Sequence, residues 1–221
     1  MRILIADDHQ LMRDGLRALL EREGLTVVGG AASGREALQL AHELRPDLIV
    51  MDISMPDLNG IDATKKLSSD QPETKVLALS MNCDQRYVLA MFAAGAAGYL
   101  VKSADSQELV LAVRAIERGQ RYVSPSVAWA VVDRVKEPKD EGISHRRTPP
   151  PFGALKPLST REREVLQLIA EGNGSKEIAA RLDVAVATVE SHRRQIMDKL
   201  GLRTIAELTK YAIREGLTSL E

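Results

Sequence analysis

The chain has 221 residues, long enough for one large domain or two small ones. Its formal charge of −1 hides an uneven spread: 14 Lys/Arg against 18 Asp/Glu over residues 1–133, 6 against 3 over 134–157, and 10 against 10 over 158–221. No part is strongly basic, so bulk charge does not mark a nucleic-acid binder. A single cysteine, Cys83, excludes an intrachain disulfide and suits a reducing compartment. No apolar run is long enough to span a bilayer, and the N-terminus does not read as a signal peptide, so a cytoplasmic protein with no membrane partner is expected.

Strand and helix signals alternate through the first 120 residues. The apolar run Ile3–Ala6 ends in Asp7-Asp8 and leads into a helical pattern over 9–22. Val27-Val28 is a second strand, and Ser33 with Glu36 forms a capping box for the next helix. Strand 48–51 ends at Asp52 and opens Asp52-Ile-Ser-Met-Pro-Asp-Leu-Asn-Gly60. A helix near 60–69, a strand over 76–79 ending in Ser80, and a helix near 84–94 follow. Gly95-Ala-Ala-Gly98 is a turn whose glycines can take positive φ. Strand 98–101 ends in Lys102, and Asp105-x-x-Glu108 is a second capping box. Five strands alternating with five helices predict an α/β doubly wound, five-stranded parallel sheet.

Residues 125–135 are a candidate sixth helix. Lys136 to Pro157 carries five prolines with little apolar periodicity and reads as a linker. The last 64 residues show helical patterns near 160–171, 175–182, 186–200 and 204–215, with no strand between them. Ser159-x-x-Glu162 caps the first, Gly172-Asn-Gly174 separates it from the second, and Gly201 stops the third. The expected divisions are 1–122, 123–157 and 158–221.

Ligands of open parallel sheets bind at the C-terminal edge of the strands. Three carboxylates, a hydroxyl and an ammonium delivered to that edge suit a divalent metal and a phosphoryl group. Asp52 is the candidate nucleophile for an acyl phosphate. Asp7 and Asp8 are hard oxygen ligands suited to Mg2+. Lys102 can pair with phosphoryl oxygens, and Ser80 can donate to one. Acids and small polar residues often end strands, but the whole set in this order is hard to assign to chance. Cys83 reads as a plain small loop residue. Apart from His192, the histidines show no metal spacing.

Residues 1–120 resemble the receiver domain of two-component response regulators, a flavodoxin-like fold. The matching positions are Asp7-Asp8, Asp52, Met55-Pro56, Gly60, Ser80, Tyr99 and Lys102. The resemblance implies a sensor histidine kinase as donor to Asp52. It implies Mg2+ held by Asp8, Asp52 and the Ser54 carbonyl, with Asp7 assisting. It also implies a switch in which Ser80 turns toward the phosphoryl group and Tyr99 moves inward. One departure is Ser103, where many receivers place proline. A cis bond without proline costs about 3–4 kcal/mol, so the resemblance does not carry that loop's geometry.

In the C-terminal part, His192 to Arg203 holds four cations, Arg193, Arg194, Lys199 and Arg203, against one acid, Asp198. Val189, Ile196 and Leu200 recur at helical spacing and would bury one face, leaving Glu190, Ser191 and Arg194 to point elsewhere. Arginine can read guanine bidentately and glutamate can accept from cytosine. A solvated amphipathic helix would show the same charges. The run Leu158–Leu166, then Lys176-Glu-Ile-Ala179, Thr188-Val-Glu-Ser-His192 and Ile196–Gly201, resembles the LuxR-type helix-turn-helix, an all-α four-helix domain. Together the two parts resemble the NarL/FixJ subfamily. That implies binding of double-stranded promoter DNA through Thr188, Glu190, Ser191, His192, Arg193, Arg194 and Lys199. It also implies a homodimer in the active state and RNA polymerase as a candidate partner. Ala185 stands where the subfamily often has serine or threonine, and Ala187 where it often has lysine.

The expected function is a phosphorylation-controlled transcription regulator, not an enzyme beyond assisting its own phosphorylation and dephosphorylation. Two rival functions share some of these features. One is a phosphatase-type enzyme using Asp52, against which Ser54 stands where a general acid would be needed. The other is a constitutive DNA binder with an inert receiver, against which the intact acidic set argues.

Overall fold

The computed structural model describes residues 1–136 and 158–218, with backbone alone for 133–136. The apart-from-Lys136 portion of the expected linker, up to Pro157, lies outside the described residues. The N-terminal part runs β1 (Arg2–Ala6), α1 (Gln10–Arg22), β2 (Thr26–Ala31), α2 (Gly34–Leu44), β3 (Leu48–Asp52), α3 (Gly60–Asp70), β4 (Lys75–Ser80), α4 (Gln85–Ala93), β5 (Gly98–Val101) and α5 (Ser106–Glu117). A short strand, β6 (Tyr122–Val123), a 3-10 turn (Pro125–Val127) and α6 (Ala128–Lys136) follow. The strands order as β2-β1-β3-β4-β5-β6, and every pairing is parallel.

The sheet therefore has six strands rather than the expected five. Two residues are too few to show a period, and β6 forms because Tyr122 and Val123 fall in register with Gly98 and Tyr99. Side chains alternate across the sheet and build two cores. Leu4, Ile49, Met51, Val76, Ala78 and Tyr99 join α2, α3, α4 and α6 on one face. Ile3, Ile5, Val50, Leu77, Leu79 and Leu100 join α1 and α5 on the other. Chain order reverses between β1 and β3, which opens a crevice beyond their C-terminal ends.

The capping expectations hold in part. Ser33 Oγ accepts from Glu36 N, but the Glu36 carboxylate takes the Ala32 amide instead of closing the box. Asp105 accepts from Glu108 N, while Glu108 accepts from the Tyr122 and Ser124 hydroxyls. Only Ser159 and Glu162 complete a reciprocal pair among these three. In the turn after α4, Gly95 has φ 106°. Gly98 serves a different need: a Cβ there would lie 3.0 Å from a Leu77 methyl and 3.1 Å from the Tyr122 carbonyl.

The C-terminal part is all helical among the described residues: α7 (Thr160–Ala170), α8 (Ser175–Leu182), α9 (Val186–Leu200) and α10 (Ile205–Arg214). They close their own core around Val165, Leu166, Leu168, Ile178, Val189, Ile196 and Leu208. Gly201 ends α9 in the left-handed conformation, as its position predicts. No helix among the described residues is long and apolar enough to cross a membrane.

Candidate functional site

The crevice collects the strand-end residues. Asp7 follows β1, Asp52 ends β3 and Lys102 follows β5. The Lys102 ammonium lies 2.8 Å from Asp7 Oδ2 and 2.7 Å from Asp52 Oδ2. Asp7 is fully buried and Asp52 is 3 % exposed. Ser54 N donates to Asp52 Oδ1 at 3.3 Å, which turns the loop back over the carboxylate. Gly60 permits that return: a Cβ there would lie 2.0 Å from the Asp52 carbonyl oxygen.

Burial raises the Asp52 pKa above the usual carboxylate value, outweighing the pull of Lys102, and the charge of Asp7 adds to the rise. Burial alone would lower Lys102, but its hydrogen bonds to Asp52 and Asp7 carry it above its usual value. The two directions agree physically, because several carboxylates face one ammonium and the excess negative charge holds protons more tightly.

Asp7, Asp8, His9 and Asp52 each bring a ligand atom within 4.8 Å of the others. Hard carboxylate oxygens fit Mg2+. His9, whose spacing in the sequence shows no metal pattern, lies beside this group, with Nδ1 2.9 Å from Asp8 Oδ1. Spacing along one segment could not show this, since the group draws on two strand ends.

Ser80 is 1 % exposed, and its hydroxyl accepts from Asn82 N at 3.0 Å. Tyr99 was expected to move inward; here it is already fully buried, with its hydroxyl donating to the Asn82 carbonyl at 2.8 Å. Val127 and Ala130 belong to the same core, so the turn and helix after β6 cover that face. Burial pushes the Tyr99 phenol well above its ordinary value. The loop after Lys102 contains no cis peptide bond, and Ala104 N returns to the Val101 carbonyl at 2.9 Å. Cys83 is exposed.

On α9, Val189 and Ile196 are buried, while Thr188, Glu190, Ser191 and Arg194 are exposed and His192 and Arg193 are half-buried. Glu190 accepts from the Ser175 hydroxyl of α8. Lys199 is half-buried and donates to Glu162 at 2.8 Å. Glu162 is buried by the fold, and its burial needs a counter-charge.

The sequence matches the response regulator receiver domain over residues 3–114 and the LuxR family of bacterial regulatory proteins over 156–212. The oxygen regulatory protein NreC of Staphylococcus epidermidis is 41 % identical over 220 residues, covering 98 % of this chain and 99 % of that protein. NreC of Staphylococcus aureus strain JH9 is 41 % identical over 219 residues, with the same coverage. A LuxR-family response regulator from Aurantimonas superposes with a TM-score of 0.59 at 39 % identity, over 62 % of this chain and 98 % of that one. RcsB of Salmonella enterica serovar Typhimurium, bound to a promoter in the presence of the phosphomimetic BeF3-, superposes at 0.58 with 26 % identity over 99 % of both chains. The chain is a two-component response regulator of the NarL/FixJ subfamily. It is a DNA-binding transcription regulator controlled by phosphorylation, not an enzyme in the ordinary sense.

In this response regulator α7 docks on the loop that follows Asp52. Gln167 is fully buried; its oxygen accepts from the Asn59 amide at 3.0 Å, and its nitrogen donates to the Met55 carbonyl at 2.9 Å. Glu171 accepts from Asp57 N at 3.1 Å. Asp57 has φ 67°, a left-handed conformation that exposes its amide to this partner. Arg163 pairs with the buried Asp62, and Lys66 pairs with the buried Glu164, which Arg161 also holds at 2.9 Å. Lys66 and Arg161 keep Glu164 below the usual carboxylate range although burial acts the other way. None of these contacts was expected from the sequence. Glu164, Gln167 and Glu171 are spaced by three and four, so they share one face of α7.

Proposed function

We propose that Asp52 is the phosphoacceptor. One Asp52 carboxylate oxygen attacks the phosphorus of the donor, the bond from phosphorus to the donor's leaving group breaks, and an acyl phosphate remains. Lys102 neutralises the phosphoryl oxygens, and Ser80 donates to one of them after turning from Asn82. Asp7, Asp8, Asp52 and the Ser54 carbonyl would hold Mg2+, which supplies positive charge at the transferring group. The same residues assist hydrolysis of the acyl phosphate, the only turnover assigned to the chain. Asp52 lies at the base of the site, and Tyr99 links the ends of β4 and β5 through Asn82.

The donor is a sensor histidine kinase and the target double-stranded promoter DNA. Thr188, Glu190, Ser191, His192, Arg193, Arg194 and Lys199 form the DNA-facing set. Thr188, Glu190, Ser191 and Arg194 stand exposed on α9 while α7 is docked. Control therefore acts on how two copies are paired on DNA, not on covering the helix. The active form is a homodimer in the cytoplasm, with RNA polymerase as the downstream partner. We place the receiver at 1–122, the extension and linker at 123–157, and the DNA-binding domain at 158–221.

The observation that carries this reading is the Lys102 ammonium held between two buried carboxylates at the strand ends. Acetyl phosphate with Mg2+ is expected to add one phosphoryl group, read by intact-mass spectrometry, and Asp52→Asn is expected to add none. Undiminished labelling of Asp52→Asn would refute the assignment.

A further inference from the structure

A side-chain hydrogen bond ties the exposed face of α9 to α8: the Ser175 hydroxyl donates to Glu190 Oε1. Ser175 is the first residue of α8 and half-buried, while Glu190 is exposed in the second turn of α9. The Ser175 hydroxyl has no capping duty. Gly174 is the N-cap of α8, and its amide donates to Glu177 Oε2 at 2.7 Å. Ile178, Ala179 and Leu182 of α8 share one core with Val189 and Ile196 of α9, so packing fixes the span that this hydrogen bond crosses. Glu190 has another partner within reach of its own helix. Arg194 stands four residues on, and a glutamate four residues before a cation is the favourable order for a helical ion pair. Yet Arg194 has no ion pair among the described residues, and Glu190 turns to α8 instead.

We propose that Ser175 is a positioning residue for base recognition: it holds the Glu190 carboxylate ready for a cytosine amine and keeps it off the Arg194 guanidinium. This role rests on the reading of Glu190 and Arg194 as DNA-facing residues. With Oε1 engaged by Ser175, Oε2 is left to accept from cytosine N4 in the major groove. The same oxygen repels guanine O6 and thymine O4, which are themselves acceptors. Holding a rotamer-rich side chain in place before binding removes an ordering cost, a factor of about 2 to 12. Freeing Arg194 from an ion pair along its own helix is worth a factor of about 1.5 to 2. The larger effect therefore falls on the base that Glu190 reads, and the smaller on the base that Arg194 reads.

Base preference is measured on the full chain by selection from randomised duplex DNA followed by sequencing. The proteins compared are the unsubstituted chain, Ser175→Ala, Ser175→Thr, Glu190→Ala and the double variant Ser175→Ala with Glu190→Ala. The position that loses preference in Glu190→Ala marks the base read by Glu190, and cytosine is expected there. Ser175→Ala is expected to lower that preference about 2- to 12-fold, with less than a twofold change in affinity for unrelated duplex DNA. Ser175→Thr keeps the hydroxyl and is expected to restore the preference. In the Glu190→Ala background, Ser175→Ala is expected to change nothing, because no carboxylate remains to be placed. An unaltered preference in Ser175→Ala, equal weakening on all sequences, no restoration by Ser175→Thr, or an undiminished effect in the Glu190→Ala background overturns the positioning role. A Glu190-dependent position that prefers guanine or thymine overturns the cytosine contact. No sequence preference in the unsubstituted chain, or a preference that Glu190→Ala leaves untouched, overturns the DNA-facing assignment of Glu190 instead.

Discussion

Ala185 begins α9 without a side-chain cap, although its backbone is already shaped for one. It has φ −67° and ψ 147°, close to Ser159 at −59° and 160°, whose Oγ accepts from Glu162 N at 3.2 Å. Ala185 is exposed, so an added hydroxyl meets no packing. Ala185→Ser would aim its oxygen at the amide of Thr188, the equivalent position. A cap of this kind is worth about 1 kcal/mol. The Thr188 amide already donates to the Ala185 carbonyl at 2.9 Å, so the new acceptor shares a donor. The expected gain is therefore the lower part of the range, about 0.5–1 kcal/mol. For a domain of this size that raises Tm by roughly 2–8 °C. Thermal unfolding of residues 152–221, which contain the whole C-terminal core, measures it. Where the first turn of α9 frays in the free state, DNA binding tightens too. A serine variant with equal or lower Tm refutes the capping argument.

Two further outcomes follow from the sites. The pKa of Asp52 is raised in the folded chain, so its contribution to stability is full below the ordinary aspartate pKa and is lost as pH rises through the folded value. Asp52→Asn is thus expected to stabilise the receiver at pH 7, with the gain shrinking toward pH 3.5 in urea titrations; a constant difference across that range would count against burial as the cause. Arg194 is exposed on α9 with no ion pair among the described residues, and Arg194→Ala should cost about 1–3 kcal/mol on a preferred site and relax base preference. Equal weakening on all sequences in a binding-selection assay would show that Arg194 meets phosphates only.

The sequence by itself determined the alternation of strands and helices, the delivery of Asp7, Asp52, Ser80 and Lys102 to one sheet edge, and the buried stripe of α9. These follow from local rules. Buried parallel strands are apolar runs, chain polarity puts their last residues on one side, and a helix buries what recurs every three to four residues. Tertiary structure alone decided what depends on two distant segments meeting. Tyr122 and Val123 become a strand only because β5 offers an edge. Tyr99 is already buried because the turn after β6 covers it. His9 joins the acidic group, and Lys199 pairs with Glu162. Most of all, the stripe Glu164–Gln167–Glu171 looks solvated on its own helix, yet it meets Lys66, Asn59 and Asp57 about 100 residues earlier. A polar side chain satisfied by water and one satisfied by a distant partner have the same local pattern. Only the docked fold, where burial makes each partner obligatory, tells them apart.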